Sequence, residues 1–213
     1  MHRDVKPQNI LVDDTTKSVR IIDWGLGAFY YPGHKYTVRV ATRAYKAPEL
    51  LVNYDTYHYA IDIWAFGAMF AGIIFDKQYF FHGRDLEEQL EKTIEVLGTD
   101  EFNVFMKKYH IPRPAFVDSF QYYEKKEWKH FMSDNAEKNK FITRNAIDLL
   151  EKMLCFDPNQ RLTAKEAMQH PYFKKVRDQI AKQNQADATA QAPIHLEPSP
   201  DVDATKDKGH NYT

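Results

Sequence analysis

The stretch "HRDVKPQN" at residues 2–9 sets an acid, an amine and an amide at the spacing D-x-K-x-x-N. Those three group types suit phosphoryl transfer. Asp4 can take a proton from an attacking hydroxyl, Lys6 can neutralise charge on a moving phosphoryl group, and Asn9 can ligate a divalent metal. A bare three-residue match is equally compatible with a solvated turn, so the reading needs partners. The first lies 19 residues beyond Asp4, where Asp23-Trp24-Gly25 follows the apolar run 19–22. A carboxylate emerging at a strand end suits Mg²⁺, a hard ion that takes one or two protein oxygens and shares the rest with phosphates. Asn9 and Asp23 sit at the two ends of one predicted hairpin, placed to converge on such an ion.

Two further groups of charges lie downstream. Glu49, within Ala47-Pro48-Glu49, requires a cation if it is buried. Arg161, within "DPNQRLTAKEAMQHPYF", is the candidate, because a planar guanidinium matches a carboxylate in two-pronged fashion. The alternative is a pair of unrelated surface charges. Lys35, Arg39, Arg43 and Lys46 fall within twelve residues that contain no acid. Such a run is either a solvated face or, beside a phosphoryl-transfer site, a receptor for acidic groups.

These side chains depend on a small set of elements. Residues 9–13 and 18–22 are short β-branched runs joined by polar residues 14–17, which predicts a hairpin. Gly25, Gly27, Pro32 and Gly33 break any period from 23 to 46, which predicts a long surface loop. Helix dominates afterwards. The apolar run 59–75 contains a lone carboxylate, Asp62, and reads as a buried helix. Leu86, Leu90, Ile94 and Leu97 recur at helical spacing up to Gly98, and Thr143 is a candidate N-cap for 144–154. Thr163-Ala164-Lys165-Glu166 is a capping box that opens a last helix.

From residue 182 the chain carries few large apolar groups and three prolines, so 182–213 is expected to be a disordered tail after a globular region at 1–181. With 213 residues, 43% of them hydrophobic, the chain can bury a core. A formal net charge of −1 argues against a dedicated nucleic-acid binder. The single cysteine, Cys155, excludes an internal disulfide and fits a reducing compartment. The 60–75 run is short for a membrane span and carries Asp62, and residues 1–3 lead straight into polar sequence without a signal peptide. The expectation is a soluble intracellular protein with neither membrane nor nucleic acid as a partner.

HRD-x-K-x-x-N, D-x-G and APE in this order and spacing are the signature set of the protein kinases. The chain resembles the casein kinase II catalytic (alpha) subunit family through "HRDVKP", "DWGL", "VRVATR", "PELLV", "FFHGRD", "VLGT" and "RLTAKEAMQHPYF". The likeness covers roughly residues 2–179. Gln8, Ala44 and Ala47 stand where that family usually has His, Tyr and Gly, and Thr42 replaces a Ser.

The resemblance implies a mainly helical kinase C-terminal lobe with a small β-hairpin, the N-lobe being absent, and a chain inactive by itself. It implies a Ser/Thr kinase using Mg²⁺ and ATP or GTP, with Asp4 as catalytic base and Lys6 on the phosphate. It assigns Asn9 and Asp23 to the metal, and Leu11 and Ile22 to the floor beneath the adenine. It places His2, Trp24 and Asp62 in an anchor between the catalytic loop and the buried helix. Arg39, Thr42, Arg43 and Lys46 become the pocket for acidic residues after the target Ser or Thr. A regulatory beta subunit and a cytoplasmic or nuclear location are also implied. The other function class considered is a non-catalytic protein that binds acidic partners.

Overall fold

The computed structural model describes residues 1–190. Near the start, β1 (Ile10–Asp13) and β2 (Ser18–Ile21) form an antiparallel hairpin with register Ile10↔Ile21 through Asp13↔Ser18. Asp13 holds the turn by accepting from Thr15 N at 2.8 Å and from Thr16 Oγ1 at 2.7 Å. At the open end, Ile22 N donates to Asn9 O at 2.9 Å, extending the pairing by one step and setting Asp23 just beyond Asn9.

Helices follow in the order α1 (Pro48–Leu51), α2 (Ala60–Ile74), α3 (Leu86–Leu97), α4 (Thr99–Lys108), α5 (Arg144–Met153), α6 (Ala164–Gln169) and α7 (Lys174–Ala190). The described residues are therefore mainly helical with one small two-stranded sheet, as the sequence leads one to expect. α2 is the axis of the core. Ile61, Trp64, Ala65, Ala68, Ala71 and Ile74 are all buried, so this helix is covered nearly all round. α5 crosses it closely at Gly67, where an added Cβ would meet Met153 and Leu154 side-chain atoms at 3.0 Å. Glycine is required there by the approach of a neighbouring helix.

The caps expected at Gly98, Thr143 and Thr163 are present, and Asp85 adds another. Asp85 accepts from Glu88 N at 2.8 Å to start α3, and Gly98, at φ 97°, ends it. Thr143 accepts from Ala146 N at 3.1 Å at the start of α5, and Thr163 with Glu166 forms a reciprocal capping box on α6.

One expectation needs correction: the 23–46 segment is not a surface loop throughout, because Val40, Ala44, Tyr45 and Lys46 are buried at its end. Within the expected 182–213 tail, α7 runs on through 182–190. Lys, Gln and Ala are good helix formers, and no Pro or Gly interrupts that stretch. The rest of the expected tail, 191–213, lies outside the described residues. Among the described residues, no helix is long and apolar enough to cross a membrane.

Candidate active site

The loop carrying Asp4 is pinned from below by α2. Asp62, in the first turn of that helix, accepts from His2 N at 2.7 Å and from Arg3 N at 2.8 Å. A carboxylate is favoured at that end of a helix, and charged acceptors roughly double the strength of such bonds. His2 Nε2 donates to Ile22 O at 2.9 Å while its Nδ1 accepts from Asp4 N at 3.2 Å, which fixes the tautomer. The His2 ring meets Trp24 edge-on with centroids 4.8 Å apart. His2, Trp24 and Asp62 thus tie the loop to the hairpin and to α2.

Asp4 is buried, and its carboxylate takes bonds from four donors. Oδ1 accepts from Thr42 N and Thr42 Oγ1, each at 2.8 Å; Oδ2 accepts from Lys6 Nζ at 2.6 Å and Asn9 Nδ2 at 3.3 Å. Burial pushes the Asp4 pKa up, but the bonds from Lys6 and Thr42 together outweigh it and hold the carboxyl below its ordinary value. The group is therefore ionised at neutral pH. Lys6 Nζ also donates to Thr42 Oγ1 at 3.0 Å, so Thr42, expected in the substrate pocket, is already part of the Asp4 network.

Asn9 is buried, with Nδ2 donating to Asp4 O at 2.9 Å. That orientation leaves its Oδ1 with no hydrogen bond among the described residues. Asp23 is exposed, in left-handed backbone at φ 61°, and its side chain makes no hydrogen bond among the described residues. A Cβ on Gly25 would come within 3.3 Å of Asp23 Oδ1, so glycine keeps that carboxylate clear. Among the described residues no three His, Cys, Asp or Glu side chains form a metal cluster. Asn9 Oδ1 and the Asp23 carboxylate, both uncommitted at one end of a hairpin, suit instead an ion that draws its other ligands from phosphates and water. By the strand register, Leu11 and Ile22 share the Asn9 face of the hairpin, and they are 54% and 37% exposed.

Arg3 and Tyr57 belong to the same construction and were not anticipated. Arg3 donates from Nε to Leu26 O at 2.5 Å and from Nη1 to Tyr57 Oη at 3.2 Å; fully buried Tyr57 donates on to Thr37 O at 2.6 Å. The middle residue of HRD was the available signal for Arg3. Tyr57, in "YDTYHY", offered none. Arg3, Asp23 and Ala41 hold φ of 68°, 61° and 66°, a conformation that non-glycine residues adopt at a cost and that clusters at functional sites.

The cationic run divides in two. Arg39 and Arg43 are exposed, and neither guanidinium has a hydrogen bond or ion pair among the described residues. Lys35 is paired with Asp55 at 3.1 Å. Lys46 is 7% exposed and donates from Nζ to Val38 O at 3.1 Å and to Val40 O. Burial lowers its pKa, opposed by the charge of Asp4. Its ammonium therefore braces its own segment from inside, and the structure does not bring it to the surface with the two arginines.

Glu49 and Arg161 do meet. Arg161 Nη1 and Nη2 reach Glu49 Oε1 and Oε2 at 2.7 and 2.8 Å, with both side chains fully buried. The remaining guanidinium hydrogens go to the carbonyls of Cys155, Ala60 and Phe156, and the cation lies 5.0 Å over the Trp64 ring. Every donor of the buried cation has a partner. The pair locks the end of the catalytic segment to α2 and to the turn before α6.

Compared with protein families, the protein kinase domain matches residues 1–173, which is the whole region containing this site.

Proposed function

The chain belongs to the protein kinase family, and from that premise we propose that it carries the catalytic machinery of a Ser/Thr kinase of the casein kinase II type. The reaction is transfer of the γ-phosphoryl group of ATP or GTP to Ser or Thr in acidic sequence. The observation that carries it is the ionised, four-donor clamp around Asp4.

A carboxylate offers about four lone-pair sites, so in the resting arrangement Asp4 has none to spare. An incoming hydroxyl finds room when Lys6 leaves Oδ2 for the phosphoryl oxygens, where its charge is needed. Asp4 then takes the hydroxyl proton while Thr42 keeps Oδ1 fixed. Asn9 Oδ1 and Asp23 would hold Mg²⁺, which supplies neutralisation of phosphate charge. Leu11 and Ile22 offer the nucleobase an apolar floor. Arg39 and Arg43 receive acidic groups following the target residue.

The test joins residues 1–190 to the nucleotide-binding half of a casein kinase II catalytic subunit. The hybrid is expected to phosphorylate an acidic serine peptide, and Asp4→Asn to abolish turnover. Activity unaffected by Asp4→Asn would remove the assignment. The 213 residues contain no G-x-G-x-x-G phosphate loop, so this polypeptide by itself is expected to show negligible turnover with Mg²⁺-ATP. A second reading, a non-catalytic binder of acidic partners, is favoured by the two unpaired arginines. It predicts acidic-peptide binding by the 213 residues together with an inactive hybrid.

A further inference from the structure

A groove of about 520 Å³ lies between the segment 125–132 and the start of α5, and it shares no residue with the catalytic loop or the cationic run. Trp128, Met132, Ile142 and Ile147 give it an apolar floor, and Lys125 and Arg144 stand among its lining residues. The other two cations of the lining are already matched, and its four cations outnumber its two acids. Lys126 pairs with Glu95 at 2.6 Å, Lys129 with Glu127 at 2.5 Å, and Glu151 accepts from Trp128 Nε1 at 2.9 Å. Lys125 and Arg144 have no ion pair or hydrogen bond among the described residues.

The position of Arg144 sharpens the point. It is the first residue of α5, whose first turn contains no acid. A cation at the positive end of a helix dipole is locally unfavourable, and an external anion would relieve it. Met132, 44% exposed, shows that the apolar floor is open to a ligand.

We propose that this groove docks an acidic peptide segment carrying one large apolar side chain, the side chain lying on the floor and its flanking carboxylates meeting Lys125 and Arg144. This surface is separate from the reaction site, and the proposal does not rest on the kinase assignment. It gives the chain a second place to hold an acidic protein, at a distance from Asp4.

The probe is a fluorescent peptide of Asp and Glu with a single central Leu, titrated by anisotropy against the 213-residue chain, so no turnover is measured. Replacing that Leu by Ser is expected to weaken binding severalfold. Lys125→Glu with Arg144→Glu is expected to weaken it at least about tenfold, a typical scale for reversed interfacial charges, and to abolish the preference for Leu over Ser. Arg39→Glu with Arg43→Glu should leave that preference intact. A glutamate suits the start of α5, so an unchanged or raised melting temperature in the Arg144→Glu variant separates lost binding from unfolding. Equal binding of the Leu and Ser peptides, or undiminished affinity after the Lys125 and Arg144 reversals, overturns the proposal. So does a preference for Leu that disappears with the Arg39 and Arg43 reversals. Binding only to vesicles of phosphatidylcholine and phosphatidylserine, lost in the Lys125 and Arg144 reversals, overturns it in favour of a lipid surface.

Discussion

Arg161 and Arg43 are both guanidinium groups set beside the same catalytic segment, and they live in opposite worlds. Arg161 is fully buried, with every donor satisfied by a carboxylate or a carbonyl of this chain. Arg43 is exposed and unmatched among the described residues. Burying a charge is tolerable only when the fold itself supplies the partners, so a buried cation reports on architecture. An exposed one leaves its partner to be supplied from outside. Lys46 makes the same point from the middle of the run. Sequence places it beside Arg39 and Arg43, yet burial commits it to the carbonyls of Val38 and Val40.

The strongest challenge to this division is Glu49→Ala. It strips the carboxylate from Arg161 and leaves an uncompensated buried cation, an expected loss of about 3–5 kcal/mol in denaturant unfolding. Replacing both partners by apolar residues, Glu49→Leu with Arg161→Met, should restore much of that stability, because the penalty lies in the orphaned charge. A Glu49→Ala chain that unfolds at the parent's midpoint would mean the pair is not structural.

Asp62→Asn comes next. It removes charge from the acceptor of two backbone bonds, which at the scale of charged hydrogen bonds costs about 1.5–3 kcal/mol and should speed hydrogen exchange at His2 and Arg3. Unchanged protection of those two amides would put the anchor elsewhere. Lys46→Met should follow at about 1–3 kcal/mol, because it leaves buried carbonyls without their donor.

How much of this could be read from residues alone depended on whether the signal was local. The hairpin, the caps at Gly98, Thr143 and Thr163, and the buried character of α2 follow from short-range pattern. Asp62 stood out as a lone carboxylate in an apolar run, its anchoring role being what the resemblance implied, and Glu49 as an acid that needs a cation if buried, with Arg161 the candidate. The fate of Lys46 was not legible, because its partners are backbone carbonyls, which every residue has. Tyr57 and Thr42 were hidden in the same way, since a hydroxyl fits surface and core alike. α4 carried its own signal in acids at its start and lysines at its end, a pattern that complements the helix dipole.

Asp4 supplies a smaller, pH-dependent effect. Its folded-state pKa lies below the ordinary carboxyl value, so the stability it contributes is fully present above the unfolded pKa, near 3.8. That contribution is lost as pH falls through the folded value. Asp4→Asn should therefore flatten the acid limb of the stability profile below about pH 4. Parallel profiles for the parent and the variant would show that the clamp gives no preference for the ionised form.

Arg43 should give the smallest effect on the fold and the most informative one on function. Arg43→Ala is expected to change stability by no more than about 0.5 kcal/mol, as for surface positions without fixed partners. In the active hybrid, Arg43→Glu should raise KM for peptides with acids after the serine by roughly tenfold, the scale of a partly exposed charge contact. The kcat should change much less, because the contact is present in both ground and transition states. Added salt should shrink the difference, and peptides neutral at those positions should barely register it. If acidic and neutral peptides lose equally, the exposed arginines are only solvated charge, and the contrast with Arg161 reduces to burial without function.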